Sequence, residues 1–500
     1  MTDPLDTFRR AAKVLKSSYE AGDLTARERL RAYPPRAGDA LKHADFLHVI
    51  ARENSFATWP AMKGAIETLG LERAAKLQRL KIALHQGQTG VVRRLIDDTP
   101  DLAADHFGLL CGLYDVKSVW AMLTKDPGLA IAPAGPSLPL VHLAKSRMFT
   151  VWPDKAAYAV AIADMLVANG ADVNAGSVEH GDPLSPLYWA LGHAGNIALA
   201  QWLLEAGANP NDDESLYHAT ELGHVQGVKL LLSHGADPKG TNALPRALDF
   251  DNADMVALLL DGGAKPNDAA NGVIPSLHQA ARRMNSGTVC DLLLENGADP
   301  AALWNGHSAY AFATVFGNAG LARRIEERGQ AIPLSATEDM LAVAATGQVP
   351  DGYIDTAKLP DAYRNILREI LHLPDKISHL KALVAIGLEW DRPDDAGVTP
   401  VQAAGWNGLP DVMAYFLSLA PDLGHTNSYG GTLLSTIIHG SENNPLRASA
   451  DYVGCLQLAL EHGVALPKRA IEMAGNDDLR ALMQQWARDR PGQVVAHGPV

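Results

Sequence analysis

Leucine-rich runs that end in glycine recur along this chain, each as two or three apolar residues, two variable ones, then Gly-Ala-Asp or a near copy. The copies are MLVANGADVN at Gly170, WLLEAGANPN at Gly207, LLLSHGADPK at Gly235, LLLDGGAKPN at Gly263 and LLLENGADPA at Gly297. A leucine run followed by Gly reads as a helix closed by a left-handed cap that only Gly adopts cheaply, after which Pro or Asn does not prolong it. Upstream of each anchor lies a second short apolar helix. Ser185-Pro186 and Thr399-Pro400 supply two of these with an N-cap followed by proline at the first helical position. Each copy therefore closes one helix-turn-helix unit. The spacings between anchors are 37, 28, 28 and 34 residues, and the 28-residue ones leave room only for tight loops between units.

These phrases, together with GVTPVQAAGWNGLPDVMAYFLSLAPDL near the C-terminus, resemble the ankyrin repeat, whose pattern runs GxTPLHxAAxxGHxxVVxLLLxxGAD. The resemblance predicts an all-α fold: an ankyrin-repeat solenoid of roughly 10–12 irregular repeats over 79–490. Two units carry about ten extra residues between their helices, giving inserted loops near 148–157 and 440–451. The stretch 336–373 has no clear anchor, so its geometry is left open. Residues 1–78 fall outside the repeat, and 41–67, with Phe56, Trp59 and Pro60, resembles a helical module found ahead of ankyrin repeats in bacterial proteins. It reads as a cap over the apolar side of the first repeat, with a separate docking domain as the alternative. Residues 491–500 read as a flexible tail.

At 500 residues the chain is too long for one core, which agrees with a repeat array. A net charge of -14 is the wrong sign for a protein that neutralises phosphates over its surface, so nucleic acid is not expected as a partner. The N-terminus has no apolar stretch after its charges and no run of about 18 apolar residues occurs, so no membrane association is expected and the cytoplasm is the expected location. Cys111, Cys290 and Cys455 lie far apart inside apolar stretches and read as small buried hydrophobes. There is no HExxH, no CxxC, no GxGxxG and no GxxxxGK[ST], so neither a metal nor a cofactor is expected. Within the ankyrin phrase, His142 and His278 fall on the His that bonds backbone between repeats, and His234 and His462 precede a helix-closing Gly.

What remains is surface. In ankyrin arrays the first helix of each unit lines the concave face, and the two residues before the mid-repeat Gly point into it. By that register the binding residues are Arg147, Glu221, Leu222, Asp249, Phe250, Arg282, Arg283, Phe316, Trp406, Asn407 and His439, with Trp304 in an adjoining finger. Aromatic and Arg side chains are the usual anchors of a binding surface, so a protein or peptide partner is the first reading. The alternative is a small-molecule enzyme or binder with a pocket in the groove, closed by the two inserted loops. There His439, with Glu442 and the amides of Asn443 and Asn444 on one loop, would act as a general base.

Overall fold

The computed structural model describes residues 4–34, 41–54, 56, 58–68, 71–179, 182–268, 274–444 and 446–496. The chain divides into two compact units. Unit 1 is Met1–Ala247 with Asp254–Lys265, and unit 2 is Leu248–Ala253 with Pro266–Val500. Among the described residues no helix is long and apolar enough to cross a membrane.

Unit 1 begins with four helices, Pro4–Glu20, Leu24–Ala32, His43–Glu53 and Trp59–Thr68. Asp23 starts the second by accepting a hydrogen bond from Ala26 N at 2.8 Å. Leu15, Phe46, Val49, Ile50, Trp59 and Met62 form a core belonging to this module, with Phe56 packed against it. Phe56 and Trp59 thus belong to the module's interior; the Pro60 side chain is outside the described part. The last helix of the module also packs on Thr89–Asp98, the second helix of the first repeat.

Helix pairs follow: Arg73–His85 with Thr89–Asp98, Phe107–Gly112 with Val116–Lys125, and Pro139–Lys145 with Ala156–Ala168. Next come the π-helical turn Tyr188–His193 with Ile197–Glu205, and Ser215–Glu221 with Val225–Ser233. First helices pack side by side, and second helices form a layer behind them. The helix-closing glycines have φ of 94° at Gly170, 97° at Gly207, 90° at Gly235 and 107° at Gly263. At Gly207 the closure is a double one, with Gly207 N donating to Leu204 O and Ala208 N to Leu203 O.

The asparagine four residues after an anchor reaches into the next repeat. Asn174 Nδ2 donates to Gly207 O at 3.2 Å while Asn209 N donates to Asn174 Oδ1 at 2.8 Å. Asn211 makes the same pair with Gly235 O and Asp237 N, and in unit 2 Asn267 makes it with Gly297 O and Asp299 N. Each rung satisfies two backbone groups at a helix end where the ladder has run out. Lys239 occupies the equivalent position after Gly235 and supplies no such acceptor and donor together.

Unit 2 stacks Ser276–Arg282 with Gly287–Glu295, Ala309–Phe316 with Ala319–Glu327, Ala336–Ala345 with Ile377–Ala385, Pro400–Trp406 with Pro410–Ser418, Leu433–Asn443 with Tyr452–Glu461, and Lys468–Met473 with Asp477–Asp489. The stretch without an anchor resolves into a regular repeat with residues 346–376 inserted between its two helices. Ser335 and Glu338 form a capping box that starts the first of them. Lys376, at the start of the second, donates from Nζ to Phe316 O at 3.0 Å. The described part of the tail is ordered by pairing: Val494–Val495 runs parallel to Leu466–Pro467, and Trp486 Nε1 donates to Gln493 Oε1 at 2.5 Å. Residues 497–500 lie outside the described residues.

Candidate functional site

Except at Arg147, which leads into the 3-10 turn Met148–Thr150, and His439, which stays inside a helix, the residues expected on the inner face precede a left-handed turn, and the turn is present even where no glycine supplies it. Tyr114, Asp251 and Met284 hold φ of 60°, 49° and 56° at that position, beside Gly223 at 67° and Gly408 at 63°. Neighbouring repeats fix these turns from below. Asn285 Nδ2 donates to Leu248 O at 2.7 Å, and Asn318 Nδ2 to Ala280 O at 3.1 Å. At the opposite end the histidines of the repeat phrase meet backbone: His142 Nε2 lies 2.8 Å from Ala134 O in the loop ahead of its own helix, and His278 Nε2 lies 2.9 Å from His307 O in the next repeat. Burial holds the His278 imidazole below its ordinary pKa despite that bond.

In unit 1 the expected surface residues are tied into their neighbours. Arg147 Nη2 donates to His193 O at 2.5 Å. Glu221 accepts from Arg246 and lies 2.7 Å from His218 Nδ1, while the adjacent Leu222 is exposed.

In unit 2 the inserted segment changes the picture. Tyr363, in the short helix Asp361–Arg364, donates to Glu338 Oε1 at 3.0 Å and packs on the rings of His307 and Phe312. His307 Nδ1 lies 2.7 Å from the same Glu338 oxygen. Burial works to raise the Glu338 carboxyl, but the Ser335 amide, His307 and the hydroxyls of Ser335 and Tyr363 outweigh it, and the pKa falls. Six residues on, at Glu369, the segment reaches the far ends of the first helices. Arg283 Nη1 donates to Glu369 Oε2 at 2.9 Å and Arg283 Nε to Asp249 Oδ1 at 2.8 Å. Asp249 also accepts from Gln279, and Arg282 Nε donates to Gln279 Oε1 at 2.7 Å. The segment therefore crosses the first helices from their starts to their ends.

Phe316 accordingly does not stand on an open face. It is 1 % exposed and stacked on Phe312, with centroids 5.5 Å apart. Trp304 is half-buried in the two-residue strand Leu303–Trp304, its ring 5.7 Å from Phe312. Phe250 remains exposed, at 51 %. The sequence gives no hint of Tyr363 or Glu369 as residues of this surface, because an insertion has no register from which an inner position can be counted.

Beyond the insertion, Trp406 and Asn407 end one first helix and His439 lies on the next. The Trp406 and His439 rings are 5.2 Å apart, and both Asn444 Nδ2 and Tyr452 Oη donate to Trp406 O at 3.0 Å. His439 to Asn443 are not loop residues: they form the last turns of helix Leu433–Asn443, and the extra residues begin at Asn444. Three residues apart on one helix, the proposed base and its carboxylate share a face but are held by different partners. His439 Nδ1 accepts from Asn443 Nδ2 at 2.9 Å, whereas Glu442 Oε1 accepts from Gly475 N at 2.5 Å. The two side chains do not meet around a common point.

Residues 155–242 and 187–270 match the family model for ankyrin repeats in three copies. No curated protein matches the chain. Among solved structures, an ankyrin repeat domain from Acinetobacter baumannii AYE is 24 % identical, with a TM-score of 0.32, covering 38 % of this chain and 97 % of that one. The helix pairs, their left-handed closures and the family match agree: the molecule is mostly helical, with a few short strands, and carries ankyrin repeats.

Proposed function

We propose that the chain is a recognition protein that takes a protein or peptide partner on its inner face, with Trp406, Asn407 and His439 as the anchoring group. Ankyrin repeats are generally protein-interaction modules, and a stack of first helices offers a rigid extended surface. The observation that carries this choice is the Trp406–His439 pair, which places an aromatic platform across two adjacent first helices. Leu446, 69 % exposed, adds an apolar side chain two residues beyond Asn444. Aromatic residues at the centre of a contact contribute most of its free energy. The inner positions around Arg283 and Phe316 are satisfied by the inserted segment instead. In this reading the N-terminal helices act as the cap of the array, supported by the packing of Trp59–Thr68 on the first repeat.

The test is mass spectrometry of proteins that co-purify with the native chain, followed by calorimetric titration of the partner found. Trp406→Ala should weaken binding by about 2 kcal/mol while leaving folding cooperative. Unchanged affinity in Trp406→Ala and His439→Ala together would remove this face from consideration.

A further inference from the structure

Unit 1 holds a half-open cavity of about 830 Å³ beneath the loop 129–136, bounded by the first helices of the first three repeats. Phe107, Leu109 and Leu129 supply apolar wall. Gly108 makes the close approach of loop and helix possible: a Cβ there would stand 2.7 Å from the His142 ring and 2.9 Å from Ala134 Cβ. The polar side chains at the cavity are mostly basic, with Gln86 as a neutral amide beside them. Lys81, Lys145, His85, His106 and His142 are donors or cations, against the single carboxylate of Asp105. Lys145 is 5 % exposed and held in the wall, its ammonium 4.0 Å over the Trp189 ring and 3.5 Å from Ser137 Oγ.

That bias stands out against the whole molecule, whose net charge is -14. An acidic chain that gathers basic groups around one apolar hollow concentrates an attractive potential there for anions. The size falls within the roughly 300–1,000 Å³ of small-ligand sites, which pair apolar walls with a few placed polar groups. We infer that this cavity binds a small amphipathic anion, an aromatic or aliphatic acid whose body lies against Phe107 and Leu109 and whose charged group meets Lys81, His85 and His106. The site is confined to unit 1 and does not depend on the partner surface proposed at Trp406.

The experiment compares two fluorescent probes of the same aromatic body on the full chain: anilinonaphthalene sulfonate, and the uncharged phenyl-naphthylamine. The sulfonate should bind saturably at one site and about ten-fold or more tighter than the neutral probe. Lys81→Glu with His106→Glu should cost the sulfonate about ten-fold in Kd and leave the neutral probe within about two-fold, since both side chains are at the cavity edge. Ala132→Trp, on an exposed loop position, should block both probes. Decanoate should displace the sulfonate where decanol does not. Equal affinity for the two probes, or sulfonate binding untouched by the charge reversals in protein of unchanged helicity, would overturn the inference.

Discussion

His379 makes the stability of unit 2 depend on acid. It lies on helix Ile377–Ala385, is 1 % exposed, and neither ring nitrogen meets a partner among the described residues. Burial, with the Lys376 ammonium adding to it, pushes its pKa down from 6.5 to about 3. The folded state thus disfavours the imidazolium that the unfolded chain forms freely below its own pKa near 6.5. Stability is complete above that value and is lost as pH falls through the window from about 6.5 to about 3. At pH 5 the unfolded histidine sits about 1.5 units below its pKa and is almost fully protonated, so the loss relative to pH 7.5 is about 2 kcal/mol. His379→Leu removes the titrating group and an unsatisfied buried polar ring at similar volume, so it should stay within about 1 kcal/mol of the parent at pH 7.5. Urea melts of parent and variant at pH 7.5 and pH 5.0, followed by circular dichroism, measure both effects. His278, also held down by burial, leaves the variant a residual acid sensitivity. Equal losses in parent and variant between the two pH values would refute the reasoning.

Three further outcomes are expected. Gly207→Val and Gly235→Val should each destabilise by about 1–3 kcal/mol, because φ near 97° and 90° strains a β-branched residue although no atom lies within 4 Å of the added Cβ; urea melts within about 0.5 kcal/mol of the parent would contradict this. Phe316→Ala should cost about 3–5 kcal/mol as a core truncation, and thermal melts showing a surface-like loss would place the ring outside the core. Lys239→Asn should add the missing rung to the backbone of the next repeat and stabilise unit 1 by about 0.5–1 kcal/mol, read as a higher urea midpoint at unchanged slope.

The repeat plan was legible because its devices are local. A leucine run, a glycine at a left-handed closure and a proline at a helix start each declare themselves within a few residues, and Gly170 to Gly297 all adopt the conformation their context required. The inner face was legible only in register. Counting back from the turn places Arg282, Arg283 and Phe316 at the ends of their helices, yet gives no information about what lies above them. Tyr363 and Lys376, from a segment without periodic signal, return to the Phe316 helix, Tyr363 against the Phe312 ring on which Phe316 stacks and Lys376 at the Phe316 carbonyl. His439 and Glu442 stand three residues apart on a stretch rich in polar residues, which resembles a loop until the helix begun at Leu433 and Leu434 is seen to continue through them. The cavity in unit 1 draws on residues from Lys81 to Lys145 and has no contiguous motif to reveal it.

The Arg283–Glu369 ion pair joins positions 86 residues apart, whereas the asparagine rungs span 24 to 35. A repeat array ordinarily assembles through short-range contacts, each unit templating its neighbour, and such low contact order favours rapid folding. The inserted segment breaks that economy of scale in time. Glu369 meets its arginine only after the intervening helices have formed the surface it crosses, and the loop it closes is long. Acquisition of native structure in unit 2 therefore has a late step, in which 361–370 settles onto an already assembled stack, and refolding monitored by hydrogen-exchange labelling should protect Ala309–Phe316 before Ile366–Ile370.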